Sequence, residues 1–225
     1  MISDVANDDA ANQRLHCPRC QRPADTCICA CSRPIANCCE VLILQHPLEV
    51  KQAKGSAGLL DLCLQRSQIW VGEQFDEASL QRALYGTSAE YPGQSQPVLL
   101  YPDTADNQAP ALRGTAAPVV VPASLPDQPR QLRLVLLDAT WRKSRKMLYL
   151  NPLLQALPRV SLAAMPPSHY RIRKAHKPDQ LASLEACAYA LMQLEQNEAR
   201  YLPLLAAFDA FVALHSARTA AYRQQ

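Results

Sequence analysis

Short apolar runs recur along the chain at 41–44, 69–71, 97–101 and 134–137, none longer than five residues and none alternating strictly with polar positions. Runs of this length and evenness predict strands buried on both faces, the habit of a parallel sheet. Helical periodicity fills the intervals. Residues 50–66 become helical by Leu59, Leu60, Cys63 and Leu64, residues 77–84 read as a short helix, and 142–148 continue helically behind an N-cap at Thr140. In 181–194 the residues Leu184, Cys187, Leu191 and Leu194 recur at spacings of three and four, which gives one apolar helix face. A second amphipathic helix is expected over 204–223 and is read as packing only. A strand at 159–162 and an edge strand at 119–121, the latter inside a loop-rich stretch from 103 to 130, complete the pattern. Strands alternating with helices predict an α/β fold, a mostly parallel sheet flanked by helices.

A length of 225 residues accommodates one sizeable domain with a small appendage. Apolar content of 48% and charged content of 19% are those of an ordinary globule, and no run of about eighteen apolar residues offers a membrane span. Residues 1–13 are polar and acidic without a signal-peptide core, which predicts a disordered tail and a cytoplasmic protein. Charge changes the picture more. Between 130 and 177 the sequence holds eleven Lys or Arg and the single acid Asp138, a local charge of +10 that leaves −7 for the remainder of a chain whose net charge is +3. Such segregation points to a polyanionic partner, whereas merely solvated helix faces carry interspersed acids.

Nine cysteines without a secretion signal do not read as a disulfide framework. Cys17-x-x-Cys20 followed by Cys27-x-Cys29 can close a tetrahedral thiolate site, and Pro18 and Pro23 suit the tight turns it needs. With four protein ligands no position is left for water, so the metal is expected to be structural zinc in a module spanning 14–40. Cys31, Cys38 and Cys39 remain alternatives, since one of them could replace Cys29.

The chemistry concentrates after the run 134–137. A carboxylate, Asp138, stands where that strand stops and a helix starts, the place where open α/β sheets hold their ligands. Behind it come Trp141 and four cations, Arg142, Lys143, Arg145 and Lys146. Asp138 is the candidate general base; a helix-capping Asp is the plainer alternative. Trp141 is expected to pack against the sheet, with base stacking the rarer outcome. His46 and Glu49 sit on the loop that Pro47 forces after the first strand, and their role stays open. Residues 166–174 interleave His169 and Tyr170 with Arg171, Arg173 and Lys174, a mixture suited to stacking on bases and contacting phosphates. No glycine-rich dinucleotide or phosphate loop is present.

Asp138-Ala139-Thr140-Trp141 with Arg145-Lys146-Met147 resembles the signature of the DTW-domain family, and four further elements agree. These are the C-x-x-C and C-x-C pairs, His46-Pro47-Leu48-Glu49, Tyr101-Pro102 and Ser183-Leu184-Glu185-Ala186. The family is similar to the SPOUT class of α/β RNA-modifying enzymes, some of them knotted, and its bacterial members resemble tRNA-uridine aminocarboxypropyltransferases. The resemblance implies a SPOUT-like catalytic domain over 41–225, with S-adenosylmethionine as donor and tRNA, at a variable-loop uridine, as acceptor. It implies that Tyr101, Pro102, Leu137, Asp138, Thr140 and Trp141 line the donor site. Ser183, Leu184 and Glu185 would then meet the methionine end of the donor, its carboxylate at the helix N-terminus or its amino group at Glu185. Knotting stays open, and a monomer is favoured. Nothing in composition or spacing separates aminocarboxypropyl from methyl transfer, so a SPOUT-class RNA methyltransferase is the runner-up. A zinc-stabilised RNA-binding protein without catalysis is the reading from a different class.

Overall fold

The computed structural model describes residues 15–87, 93–101, 128–160, 162 and 181–223. Five strands form one parallel sheet: β1 (Glu40–Gln45), β2 (Ser67–Val71), β3 (Gln96–Leu100), β4 (Leu132–Asp138) and β5 (Arg159–Val160), in the spatial order β2-β1-β4-β3-β5. Among the described residues six α-helices accompany them: α1 (Ala57–Cys63), α2 (Glu77–Tyr85), α3 (Trp141–Leu150), α4 (Pro152–Gln155), α5 (Ser183–Glu195) and α6 (Glu198–Arg223). The expected edge strand at 119–121 and the expected tail at 1–13 lie outside the described residues.

Every residue of β4 is buried, as its unbroken apolar pattern requires of a central strand with helices on both faces. Side chains alternate across the sheet. Val41, Ile43, Val98, Leu100, Leu134 and Leu136 pack with α1, α5 and α6, while Leu42, Leu44, Leu99, Val135 and Leu137 pack with α2, α3 and α4. Arg133 breaks the apolar run without breaking the strand. Its partner Glu40 stands directly opposite on β1 and pairs with its guanidinium, which also donates to the carbonyls of Ala83 and Gly86. This buried cation therefore leaves the basic surface that the charge count assembled.

The segment expected as a separate module packs into the main core: Ile28, Cys31, Ile35 and Cys39 belong to the same apolar cluster as α1, α5 and α6. Helix α6 begins at Glu198, six residues ahead of the expected start, and buries Tyr201, Leu204, Phe208 and Phe211. Its length over twenty-six residues does not make it a span, for no helix among the described residues is long and apolar enough to cross a membrane.

His215 of α6 is buried against the edge of Phe211. Burial first, and then the positive charges of Arg22, Arg218 and Lys54, hold its pKa below the ordinary value of 6.5. A histidine depressed in this way favours the folded state while neutral. Its contribution is complete above the unfolded value and is lost as pH falls through the folded one. Lowering the pH from about 7.5 to about 5.5 should depress the melting temperature of the native protein more than that of His215→Gln. Parallel pH profiles for the two would exclude His215 as the titrating group.

Candidate functional site

The sheet's topology opens a crevice at its carboxyl edge. Strands β1 and β4 are neighbours, but the chain leaves β1 toward α1 on one face and leaves β4 toward α3 on the other. Adjacent strands whose connections depart to opposite faces create the switch point at which open α/β sheets bind ligands. Gln45 and Asp138 are the paired last residues of those two strands. Asp138 is buried, and each of its carboxylate oxygens accepts a bond: Oδ2 from Gln45 Nε2 at 2.8 Å and Oδ1 from Ser183 Oγ at 2.7 Å. The Asp138 carbonyl accepts the His46 N–H, which ties the loop after β1 to the same point.

A small cleft beside Asp138 is lined by Glu49, Lys54, Gly55, Ser56, Ala182 and Ser183. It therefore joins two elements on which candidate residues were expected, the loop after β1 and the start of α5. Glu185 faces elsewhere in part: its Oε2 accepts the Ala182 N–H at 2.9 Å, so the carboxylate caps its own helix, and the residue is buried. Leu184 and Leu137 lie in the core. Thr140 holds the N-cap position of α3, although its side chain makes no capping bond.

On the other side of Asp138, Trp141 departs from expectation. It is 42% exposed and stacks on Tyr101, with ring centroids 5.1 Å apart and planes 12° from parallel, instead of packing into the sheet. Tyr101 is buried, its hydroxyl shares a hydrogen bond with Ser144 Oγ, and the Arg159 guanidinium lies over its ring. Burial pushes the Tyr101 pKa up, so the ring is neutral. The supported indole leaves an exposed aromatic surface at the start of α3, close behind Asp138 in the chain.

The basic helix is less bare than its sequence. Lys143 Nζ bonds Glu49 Oε1 and Lys146 Nζ bonds Glu73 Oε2, both at 2.8 Å. The acids come from loops beyond β1 and β2, far away in the chain, which is why counting within 130–177 overstated the patch. Arg142 and Arg145 remain exposed on α3. His46 is buried; its Nδ1 accepts the Leu48 N–H, so Nε2 carries the proton and donates to Glu73 Oε1. Lys146 first and then His46 hold the Glu73 carboxylate below its ordinary range. Pro102, His169, Tyr170, Arg171, Arg173 and Lys174 lie outside the described residues.

Glu73 and Asn151 had no sequence signal of their own. Asn151 fixes the loop that carries Glu73, donating to the Glu73 carbonyl and accepting from the Phe75 N–H. Gln45 could have been found as the polar residue ending an apolar strand just ahead of His46, but its pairing with Asp138 is a matter of sheet order.

At the other end of the chain, the sulfurs of Cys17, Cys20, Cys27 and Cys29 lie within 4.8 Å of one another. The Cys17–Cys29 and Cys20–Cys27 separations are 3.6 and 3.8 Å. A tetrahedron of sulfurs about 2.3 Å from a central zinc has edges of about 3.8 Å. The main-chain N–H groups of Cys20 and Arg19 hold the Cys17 thiol down to about 6, whereas burial and the neighbouring sulfurs push Cys29 up to about 12. Such a cluster resists full ionisation unless a cation sits among the sulfurs. The alternatives fall away by position. Cys31 and Cys39 are buried apart from the cluster, and Cys38 accepts a bond from Arg200.

Comparison with known proteins agrees with these features. The family model described as DTW domain matches residues 14–216. A Drosophila melanogaster protein named tRNA-uridine aminocarboxypropyltransferase 2 is 30% identical over 197 residues, covering 84% of this chain and 70% of its own length. Proteins of the same name from Mus musculus and Macaca fascicularis are 29% and 26% identical, over 83% and 84% of this chain. The chain spans 59% of the length of each of those two relatives. No solved structure is significantly similar.

Proposed function

The chain belongs to the DTW-domain family, and on that premise we propose that it is a tRNA-uridine aminocarboxypropyltransferase. It transfers the 3-amino-3-carboxypropyl group of S-adenosylmethionine to N3 of a uridine in tRNA and releases 5′-methylthioadenosine. The observation that carries the reading is Asp138, a carboxylate fixed by Gln45 and Ser183 at the switch point of a parallel sheet beside an exposed, supported indole.

Uridine N3 carries a proton and is a weak nucleophile until that proton leaves. Asp138 accepts it as the nitrogen attacks the γ-carbon of the methionine chain. An N–C bond forms, the C–S bond breaks, and the electron pair of that bond stays on sulfur, converting the sulfonium to a neutral thioether. The Asp138 proton then passes to solvent. Gln45 and Ser183 hold the carboxylate in one orientation, which is how a protein converts an encounter into a near-attack geometry. Which carbon of the sulfonium faces the nucleophile decides between aminocarboxypropyl and methyl transfer. The names of the relatives support the former.

Tyr101 and Trp141 contribute the aromatic wall for the adenosine or the target base, and the start of α5 at Ser183 faces the methionine end of the donor. Exposed Arg142 and Arg145 contact phosphates, with Lys143 and Lys146 available when their carboxylate partners yield. Cys17, Cys20, Cys27 and Cys29 hold structural zinc, whose role is to fix a segment too small to fold on its own. The fold is of the SPOUT type, and this reading is supported by the parallel sheet and by the ligand crevice at its carboxyl edge.

Incubating the protein with tRNA and S-adenosylmethionine and identifying the small-molecule product by mass spectrometry tests the proposal. Methylthioadenosine, with a correspondingly heavier uridine in the digested tRNA, is the expected result. S-adenosylhomocysteine would establish methyl transfer instead. Neither product, with tRNA demonstrably bound, would leave a binding protein.

A further inference from the structure

The wall of the crevice opposite α5 is a loop, 51–56, that carries Lys54, Gly55 and Ser56 to the cleft beside Asp138. Residues 51–54 are exposed and outside any helix or strand. Local ties of the loop include two turn closures, Gln52 N–H to Glu49 O and Gly55 N–H to Gln52 O, and the exposed Gln52 Nε2 donating to Leu48 O at 3.3 Å. Segments of this kind open locally at low cost unless something outside them holds them.

Here the holder belongs to the cysteine cluster. Arg22 stands two residues after Cys20, and its backbone is part of the knuckle: the Arg22 carbonyl accepts the Cys17 N–H at 2.8 Å, just after Gln21 turns through φ 57°. Its side chain reaches across to the loop. Nη1 donates to Ala53 O at 2.8 Å and Nη2 to Gly55 O at 2.9 Å. Two carbonyls so spaced match the rigid fork of a guanidinium, and an ammonium does not reproduce that match. The guanidinium also lies over the Phe211 ring, 5.6 Å from its centroid, and the His215 ring meets that same ring, with centroids 4.6 Å apart. Arg218 of the same helix donates to Cys27 O. Knuckle, α6 and crevice loop thus meet at one point.

We infer that Arg22 is a positioning residue, through which the four-cysteine knuckle holds the 53–56 wall of the crevice in shape. The knuckle's part in catalysis is then on the donor side of the site and is distinct from docking RNA. The link to the donor rests on the function proposed above; the link to the loop does not. Asp138 takes its orientation from Gln45 and Ser183, neither of which the loop supplies, so the chemical step stands apart from this contact.

The test uses the zinc-loaded full chain and two variants, Arg22→Ala and Arg22→Lys. Hydrogen exchange followed by mass spectrometry should show faster exchange over 51–57 in the alanine variant while residues 15–31 and the zinc content stay native, with lysine restoring protection only in part. Donor Kd and KM should rise about tenfold in Arg22→Ala, the size expected for losing charge-assisted bonds, with kcat and tRNA affinity unchanged. Unchanged exchange over 51–57 in both variants overturns the inference. So does a loss confined to tRNA affinity, which would assign the knuckle to docking. If the alanine variant loses zinc or fails to fold, the lysine variant decides: faster exchange limited to 51–57 supports the inference, and native exchange there refutes it. Should the wild type bind no donor at all, the functional reading fails while the exchange result still judges the contact.

Discussion

Asp138→Asn should slow single-turnover transfer by about 10²- to 10⁴-fold, the usual worth of a positioned general base, while tRNA affinity stays near native. The replacement keeps the shape of the side chain and removes its ability to take the N3 proton. Two donors, Gln45 Nε2 and Ser183 Oγ, now point at this position. The asparagine amide can satisfy one with its oxygen, and the serine hydroxyl or the flipped glutamine amide can turn to accept from its nitrogen. The fold should therefore survive with a loss of about 1–3 kcal/mol, the cost of an imperfectly paired buried polar group. On the proposed function, tRNA binding draws on exposed cations of α3 that this change leaves untouched. Rapid-quench measurement of methylthioadenosine at saturating donor checks the prediction. A rate within about tenfold of native would remove Asp138 from the role of base and leave it a structural link between β1 and the start of α5.

Cys20→Ser should release the metal and lower the melting temperature by an amount on the order of 10 °C, if the variant accumulates in folded form at all. Structural zinc in small modules is worth about 10–16 kcal/mol of apparent folding free energy, comparable with the whole net stability of a domain. In a protein of this size about 4 kcal/mol corresponds to a shift of roughly 10 °C. An isolated appendage could unfold alone. This segment cannot, because Ile28, Cys31 and Ile35 are part of the principal core and Cys20 packs against it. Elemental analysis should find about one zinc per native chain and little in the variant, and calorimetry should show the fall in stability. Native protein free of zinc, or a variant that melts with the wild type, would be the contrary result.

The unevenness of what the sequence disclosed has physical causes. Strands and helices were legible because burial on both faces writes an unbroken apolar run and burial on one face writes a period of 3.6. Thus β1, β2, β3 and β4 appear where the runs at 41–44, 69–71, 97–101 and 134–137 place them, β3 shifted by one residue and the others extended by one or two residues at an end. The four-cysteine cluster was legible because all its members lie within thirteen residues, where chain stiffness confines their geometry. The acidic partners of the basic helix were invisible for the opposite reason: Glu49 and Glu73 meet Lys143 and Lys146 only after the chain has crossed the sheet. Trp141 was misplaced because an aromatic residue after a strand has two surfaces to choose from. The buried Tyr101, arriving from the neighbouring strand, decided the choice.

By itself, then, the sequence determined the element types, the parallel character of the sheet, the spacing of the four clustered cysteines and the acid at the end of β4, all of them set by interactions within one or two turns of chain. Only the tertiary structure decided that Asp138 is held by Gln45, 93 residues away, and by Ser183, 45 residues away. It alone brought Arg22 of the cysteine knuckle onto the carbonyls of Ala53 and Gly55. Strand order and crossover direction create such neighbours, and they leave no periodic trace in the residues they join.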